Sequence, residues 1–237
     1  MVRVNKVLAT QACLNPRVVF NLLAQTCYLC GNSSSQAICN ACLKDLPYKT
    51  SACLNCASTL DEVGICPECK QNPPPYTHTQ ALFSYTYPVD KLIKLAKFHQ
   101  NLTILKLLAN LMAQHLTMEP RPDVLIPVPL HSKRLRQRGY NQSLELAKMI
   151  AKQSGIPINT RICKRRKYTR PQTALLNAQQ REENLANAFK IKKIPSTWQH
   201  IVLIDDVMTT GTTVKQLALA FKAAGISQID VWCCARA

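Results

Sequence analysis

Two adjacent carboxylates followed by a hydroxyl-rich turn are the clearest chemical feature of the sequence. The apolar run of VLIDDVMTTGTT, residues 202–213, reaches Asp205 and Asp206. The turn after them contributes four hydroxyls and one glycine: Thr209, Thr210, Gly211, Thr212 and Thr213. Backbone N–H groups at the start of a helix and threonine hydroxyls bind phosphate, and glycine lets the backbone approach it.

The two carboxylates need a different partner, because they would repel a phosphate. They suit vicinal sugar hydroxyls or a divalent cation. Taken separately, a threonine-rich turn is typical of a capped helix, and paired acids are typical of a solvated loop end. Their combination after an apolar strand favours one ligand with a phosphate at one end and a diol at the other, which describes a ribose 5-phosphate.

Eight of the twelve cysteines form four CxxC pairs within residues 27–69, in two successive copies of one pattern. Two CxxC turns complete a tetrahedral zinc site with no open position. Free core cysteines and a redox pair are the alternatives, and four evenly spaced pairs disfavour both. The sequence predicts two structural Zn²⁺ sites, with an interleaved pairing left open as the less favoured order. The predicted ligands are Cys27, Cys30, Cys39 and Cys42 for one ion and Cys53, Cys56, Cys66 and Cys69 for the other.

The formal net charge of +17 lies mostly after residue 80, since residues 1–80 hold six Lys/Arg against four Asp/Glu. From His131 to Arg170 there are twelve Lys/Arg and one acid, Glu145. Such a density of charge can neutralise pyrophosphate, follow a nucleic-acid backbone, or do both, whereas a single lysine is more often solvated surface. The candidates for these contacts are Lys133, Arg136, Arg138, Lys164, Arg165, Arg166, Lys167 and Arg170.

Alternating strand and helix patterns predict an α/β layer architecture that would position these groups. The predicted strands are residues 81–87, 123–129, 200–206 and 228–236. The predicted helices are residues 89–98, 103–116, 142–155, about 178–187 and 212–225. Open α/β sheets bind ligands at the carboxyl ends of their strands, which is where Asp205 and Asp206 fall.

Three consecutive prolines in KQNPPPYTH predict a stiff spacer and a domain boundary. We predict a helical lead-in at residues 1–24, a double zinc ribbon at 25–72, a proline-rich linker at 73–80 and an α/β domain at 81–237. No apolar run reaches the roughly 20 residues of a membrane helix, and the N-terminal segment is too broken for a signal peptide. We therefore expect a cytoplasmic protein.

The order of these parts resembles the ComF family from about Cys27 to the C-terminus. Between the paired CxxC repeats and the final WCCARA, the chain contains RLRQRGYNQ (134–142), RPQTALLNAQQREEN (170–184) and the acid and threonine stretch. The first two motifs are specific to the family. The third is shared by all type I phosphoribosyltransferases.

The resemblance implies a type I phosphoribosyltransferase-like parallel sheet with helices on both faces, preceded by a small double zinc ribbon. It also implies binding of phosphoribosyl pyrophosphate with Mg²⁺. Carried over residue by residue, Asp205 and Asp206 would hold the ribose hydroxyls, residues 209–213 the 5-phosphate, and Arg134 the pyrophosphate.

The same resemblance implies a role in natural transformation, with single-stranded DNA as a partner after its entry into the cytoplasm. A DNA translocase or helicase of the uptake machinery is the candidate protein partner. The sequence shows no segment that would read an acceptor base, so transferase activity is left open. The alternative function is a phosphoribosyltransferase acting on a nucleobase or another small acceptor, with purely structural zinc ribbons.

Overall fold

The computed structural model describes residues 25–98, 101–167 and 188–237. The predicted lead-in at 1–24, the predicted helix at 178–187 and Arg170 lie outside the described residues. Contacts divide the chain into two compact units, one ending at Asp45 and the other beginning at Leu46. This division differs from the linker expected at residues 73–80, and the domain bounds given above stay a prediction.

The described part of the first unit, residues 25–45, contains very short elements. Strand β1 (Gln25–Thr26) pairs antiparallel with β2 (Ser33–Ser34), and helix α1 spans Asn40–Lys44. Elements this short bury little apolar surface by themselves, and structural metals commonly stabilise segments of this kind.

The second unit contains the main sheet. Its helices are α2 (Pro67–Gln71), α3 (Val89–Phe98), α4 (Leu102–His115), α5 (Ser132–Arg138), α6 (Gln142–Ser154) and α7 (Thr212–Ala223). Its strands are β3 (His78–Ser84), β4 (Val124–Pro127), β5 (Cys163–Arg165), β6 (Phe189–Ile191), β7 (His200–Met208) and β8 (Gln228–Arg236). Strands β3, β8, β7 and β4 form a parallel sheet in that order, and β5 pairs antiparallel with β6.

Helices cover both faces of the parallel sheet. On one face, Val214 and Phe221 of α7 belong to the same buried cluster as Leu203 of β7. On the other face, α6 contacts β4 and β7 through a side that includes the buried residues Leu146 and Ile150, and α4 packs against α6. Because successive side chains of a strand point to opposite faces, an apolar strand such as β7 can serve both layers. The predicted sheet with helices on both faces is confirmed.

Some elements differ from the sequence-based prediction. Strand β3 runs from His78 to Ser84 rather than over 81–87, and β7 continues past both acids to Met208. Helix α5 and the antiparallel pair β5 and β6 were not predicted. The α5 sequence SKRLRQR has one apolar residue, and strands β5 and β6 are each three residues long. Neither feature produces a recognisable hydrophobic period.

Candidate functional site

The turn between β7 and α7 has the geometry of an anion-binding turn. Gly211 is the N-cap residue of α7 with φ of 74°, and no side chain caps the helix. The first N–H groups of a helix have no partner within the helix, so they remain available to a ligand. The hydroxyls of Thr210 and Thr212 lie 2.8 Å apart. Residues 209–213, called the threonine turn below, line a cavity of about 20 Å³.

Asp205 is held at the carboxyl end of β7 by two hydrogen bonds. The Ser143 hydroxyl at the start of α6 donates to Asp205 Oδ1 at 3.1 Å, and the Asp206 N–H donates to the same oxygen at 2.9 Å. Burial of the carboxyl raises the pKa of Asp205 to about 7, and the Asp206 carboxylate adds to the rise. Asp205 therefore changes its charge near neutral pH.

Asp206 has a cationic partner instead. Lys97 of α3 places its Nζ 3.0 Å from Asp206 Oδ2, and the two side chains are 18% and 15% exposed. Burial alone would lower the pKa of Lys97, but the attraction of Asp206 offsets this and the pKa of Lys97 is raised. Neither Lys97 nor Ser143 was expected from the sequence.

One cleft of about 500 Å³ brings many of the predicted residues together. Its lining includes both acids, Thr209 and Thr213 of the threonine turn, and three arginines from α5 and β5: Arg134, Arg138 and Arg165. We call it the main cleft. Burial lowers the pKa of Arg165 to about 10, and the positive charge of Arg134 contributes to the lowering.

The remaining basic candidates lie elsewhere. Lys133 and Arg136 are exposed on α5 and do not line the main cleft. Lys164 lines a second cleft of about 500 Å³, which shares Arg165 with the first. Arg166 and Lys167 directly follow strand β5 and are exposed.

Arg138 is fixed by neighbours that the sequence did not indicate. Its guanidinium lies 5.8 Å from the ring centroid of Phe98, and its Nη1 donates to Gln142 Oε1 at 3.2 Å. Both partners line the main cleft. These contacts hold the positive charge of Arg138 at the main cleft.

The cysteines form two separate four-sulfur clusters in the predicted sequential order. Cys27, Cys30, Cys39 and Cys42 bring their Sγ atoms within 4.8 Å of one another, and so do Cys53, Cys56, Cys66 and Cys69. We call these the first and second zinc sites. Backbone N–H groups donate to sulfur in both, from Cys39 to Cys27 Sγ at 3.4 Å and from Cys66 to Cys53 Sγ at 3.3 Å. Four thiolates with such support fit structural Zn²⁺.

The sequence of residues 18–70 matches the family described as the double zinc ribbon domain. The prediction of two four-cysteine zinc sites is therefore confirmed by the geometry and by this match. Among the described residues, none of the helices is both long enough and apolar enough to cross a bilayer.

Three curated proteins are similar over most of their length. The DNA utilization protein YhgH of Salmonella typhi is 33% identical over 220 residues, which cover 89% of this chain and 96% of that protein. Competence protein F of Haemophilus influenzae is 32% identical over 216 residues, covering 86% and 92% of the two chains. Competence protein ComFC of Bacillus subtilis is 24% identical over 239 residues, covering 86% and 93%.

Two solved structures resemble the fold more distantly. Glutamine phosphoribosylpyrophosphate amidotransferase from B. subtilis aligns with a TM-score of 0.38 and 22% identity, covering 54% of this chain and 25% of that one. Adenine phosphoribosyltransferase from Leishmania tarentolae aligns with a TM-score of 0.36 and 18% identity, covering 68% and 76%.

Proposed function

The chain belongs to the ComF family, and we propose that it acts in DNA uptake during natural transformation by binding phosphoribosyl pyrophosphate and single-stranded DNA. The observation that carries the proposal is the main cleft, whose lining combines two carboxylates, a threonine turn and three arginines. Its relatives named for competence and for DNA utilization support the role in DNA uptake. We place this activity in the cytoplasm, where the incoming strand would arrive.

The three groups of the main cleft match the three parts of phosphoribosyl pyrophosphate. The threonine turn binds the 5-phosphate with backbone N–H groups and hydroxyls. Asp205 and Asp206 accept hydrogen bonds from the ribose hydroxyls, and Ser143 and Lys97 keep the two carboxylates in place. Arg134 and Arg165 neutralise the pyrophosphate, which Mg²⁺ accompanies.

Single-stranded DNA would follow the basic surface that continues from the main cleft. Arg165 lines the cleft, while Arg166 and Lys167 extend the positive charge to the exposed segment that follows β5. Backbone phosphates bind such rows of charge without regard to sequence, and the binding weakens steeply with salt.

Calorimetry with phosphoribosyl pyrophosphate and Mg²⁺ tests the ligand. The change of Asp205→Ala with Asp206→Ala should weaken binding at least about 100-fold, because the hydrogen-bond acceptors for both ribose hydroxyls are lost. Circular dichroism should show an intact fold. Asp90→Ala, which removes an acid of α3 paired with Lys94, is the matched control and should bind normally. Undiminished affinity in the double variant would contradict the ribose assignment.

Fluorescence anisotropy with a labelled single strand, measured across a salt titration, tests the DNA partner. The triple variant Arg165→Ala, Arg166→Ala, Lys167→Ala should bind more weakly and reduce the logarithmic salt slope by about 2, since each single-strand phosphate contact contributes about 0.7. A control with the same loss of charge is Lys91→Ala, Lys106→Ala, Lys152→Ala, three exposed lysines outside the main cleft. Equal losses in the two triple variants would show nonspecific attraction and reject the proposed surface.

A further inference from the structure

One side chain, Arg236 at the end of β8, joins the threonine turn to the second zinc site. Its Nε donates to the carbonyl of Cys56 at 2.9 Å, and its Nη2 donates to Ser58 Oγ at 3.3 Å. Its Nη1 donates to the carbonyl of Met208 at 3.2 Å, to the carbonyl of Thr209 and to the Ala237 oxygen. A single guanidinium is therefore bonded both to the loop of a zinc ligand and to the peptides that follow β7.

These bonds fix the direction of two peptide groups. In a trans peptide the C=O and the N–H point in opposite directions. Because Arg236 holds the carbonyls of Met208 and Thr209, the N–H groups of Thr209 and Thr210 must point away from it. The Ala237 N–H also donates to the Met208 carbonyl, at 3.0 Å. Within the described residues these two N–H groups have no backbone acceptor, and both residues line the cavity of the threonine turn.

The other end of the link reaches a zinc-ligating sulfur. Ser58 Oγ lies 3.0 Å from Cys56 Sγ. A zinc-bound thiolate carries no proton, so the hydroxyl donates to the sulfur and its oxygen is free to accept from Arg236. The loop that carries Cys56 and Ser58 is tightly turned, since Ala57 has φ of 55° and its N–H donates to the Cys53 carbonyl at 2.8 Å. Metal binding at the four sulfurs would hold this turn in place.

Packing reinforces the same connection. Cys56 packs against the buried cluster that contains Tyr76 and Met208. The Tyr76 hydroxyl lies 3.3 Å from the place where a Cβ on Gly211 would stand, so the tyrosine also contacts the threonine turn. Cys56 of the second zinc site and the threonine turn thus both contact the same buried cluster.

We propose that the second zinc site positions the threonine turn through Arg236, so that anion binding by this turn requires metal at Cys53, Cys56, Cys66 and Cys69. Arg236 is a positioning residue, because it binds carbonyls and leaves the N–H groups for the ligand. The identity of the anion rests on the proposed function. The coupling itself concerns only the turn and the metal site.

A matched pair of ligand variants tests the dependence on zinc. Cys69→Ser in the second site and Cys42→Ser in the first should each lose one of the two zinc ions by metal analysis. Phosphoribosyl pyrophosphate with Mg²⁺ should then bind to Cys69→Ser about tenfold or more weakly than to the unmodified protein, a loss of affinity typical of changes to groups that support a metal site. It should bind to Cys42→Ser as tightly as to the unmodified protein. Equal affinity in both variants would overturn the proposal.

Arg236→Met tests the link while leaving all eight cysteines in place, so it does not depend on Cys69→Ser being folded. It should retain two zinc ions and lose affinity to a similar extent, and Arg236→Lys should recover only part of it, because one ammonium cannot reach both sides. The variant combining Arg236→Met with Cys69→Ser should lose no more than either alone, since both interrupt one path. Additive losses would contradict a single path.

Amide hydrogen exchange supplies a readout that needs no ligand. In both Arg236→Met and Cys69→Ser, peptides covering residues 205–213 should exchange faster, while peptides covering β4 should not change. If the unmodified protein fails to bind phosphoribosyl pyrophosphate but this exchange pattern appears, the proposed function fails and the coupling stands. Unchanged exchange in the turn would reject the coupling even if the ligand binds.

Discussion

Asp205 and Asp206 are adjacent in the chain, but the protein gives them different surroundings. Burial of the Asp205 carboxyl raises its pKa to about 7, with a further contribution from Asp206. Asp206 has the amine of Lys97 at 3.0 Å. One acid thus titrates near neutral pH, and the other has its charge balanced by an ion pair. This difference makes a prediction about stability.

The variant Asp205→Asn should gain stability relative to the unmodified protein as the pH rises. The pKa of an aspartate in the unfolded chain is about 3.9, so the folded protein holds this proton more tightly, and its stability falls as the pH rises toward about 7. Asparagine has no such proton. Between pH 6 and pH 8 the free energy of unfolding of the variant should therefore rise by about 1 kcal/mol relative to the unmodified protein, measured by urea denaturation.

The control for this experiment is Asp90→Asn. The ion pair with Lys94 lowers the pKa of Asp90, so this change should give the same difference at pH 6 and pH 8. Other titrating groups are common to all three proteins and cancel in the comparison. A difference for Asp205→Asn that does not depend on pH would show that Asp205 is ionised throughout this range.

The sequence was sufficient to select the two acids but not their partners. An apolar strand that ends in two acids and a threonine–glycine turn is a local pattern, and local patterns can be recognised in a chain. Ser143 lies 62 residues before Asp205 and was one polar position at the start of a predicted helix. Lys97 was one of several lysines on another helix. Only the packing of α6 against the sheet and of α3 against α4 brings these side chains to the acids.

The turn that joins β7 to α7 leads to a prediction about ligand binding and stability. Gly211 has φ of 74°, and a Cβ there would lie 3.0 Å from Met208 Cε and 3.3 Å from the Tyr76 oxygen. An alanine would meet both the backbone strain and this crowding. The threonine turn would have to shift to relieve the contact.

We therefore expect Gly211→Ala to bind phosphoribosyl pyrophosphate at least about tenfold more weakly and to lose about 1 kcal/mol or more of stability. Gly225→Ala is the matched control, because Gly225 follows the other end of α7 with φ of 98° and nothing lies within 4 Å of its Cβ position. It should show a similar loss of stability by urea denaturation and normal affinity by calorimetry. Equal affinity in the two variants would separate the threonine turn from ligand binding.

The prediction of helices and strands succeeded where the hydrophobic pattern continued over many residues. The helices α4, α6 and α7 and the strands β7 and β8 are nine residues long or longer, and all five were recognised. Strand β5 (Cys163–Arg165) lies within RICKRRKYTR, where the charged residues hide any alternation of apolar and polar positions. Arg236 is further from prediction still, because its partners at Cys56 and Ser58 lie 180 and 178 residues away. Such a contact is a property of the folded unit.

Several of the positive charges of the molecule lie at the proposed ligand site. The chain carries a formal charge of +17, and Arg134, Arg138 and Arg165 all line the cleft that contains the acids and the threonine turn. Arg165 also lines the second cleft, together with Lys164. A small polyanion and a nucleic-acid backbone would therefore use some of the same guanidinium groups.

Phosphoribosyl pyrophosphate and single-stranded DNA should compete for the protein. Saturating phosphoribosyl pyrophosphate with Mg²⁺ should weaken single-strand binding about tenfold, measured by anisotropy at constant ionic strength, because phosphates of the small ligand occupy arginines that the strand needs. By thermodynamic linkage, saturating DNA must weaken binding of the small ligand by the same factor, which calorimetry can check. The variant with Asp205→Ala and Asp206→Ala separates competition from simple screening. If it no longer binds phosphoribosyl pyrophosphate, adding that ligand should leave its DNA affinity unchanged. An unmodified protein whose DNA affinity does not respond to the ligand would place the two binding sites on different surfaces.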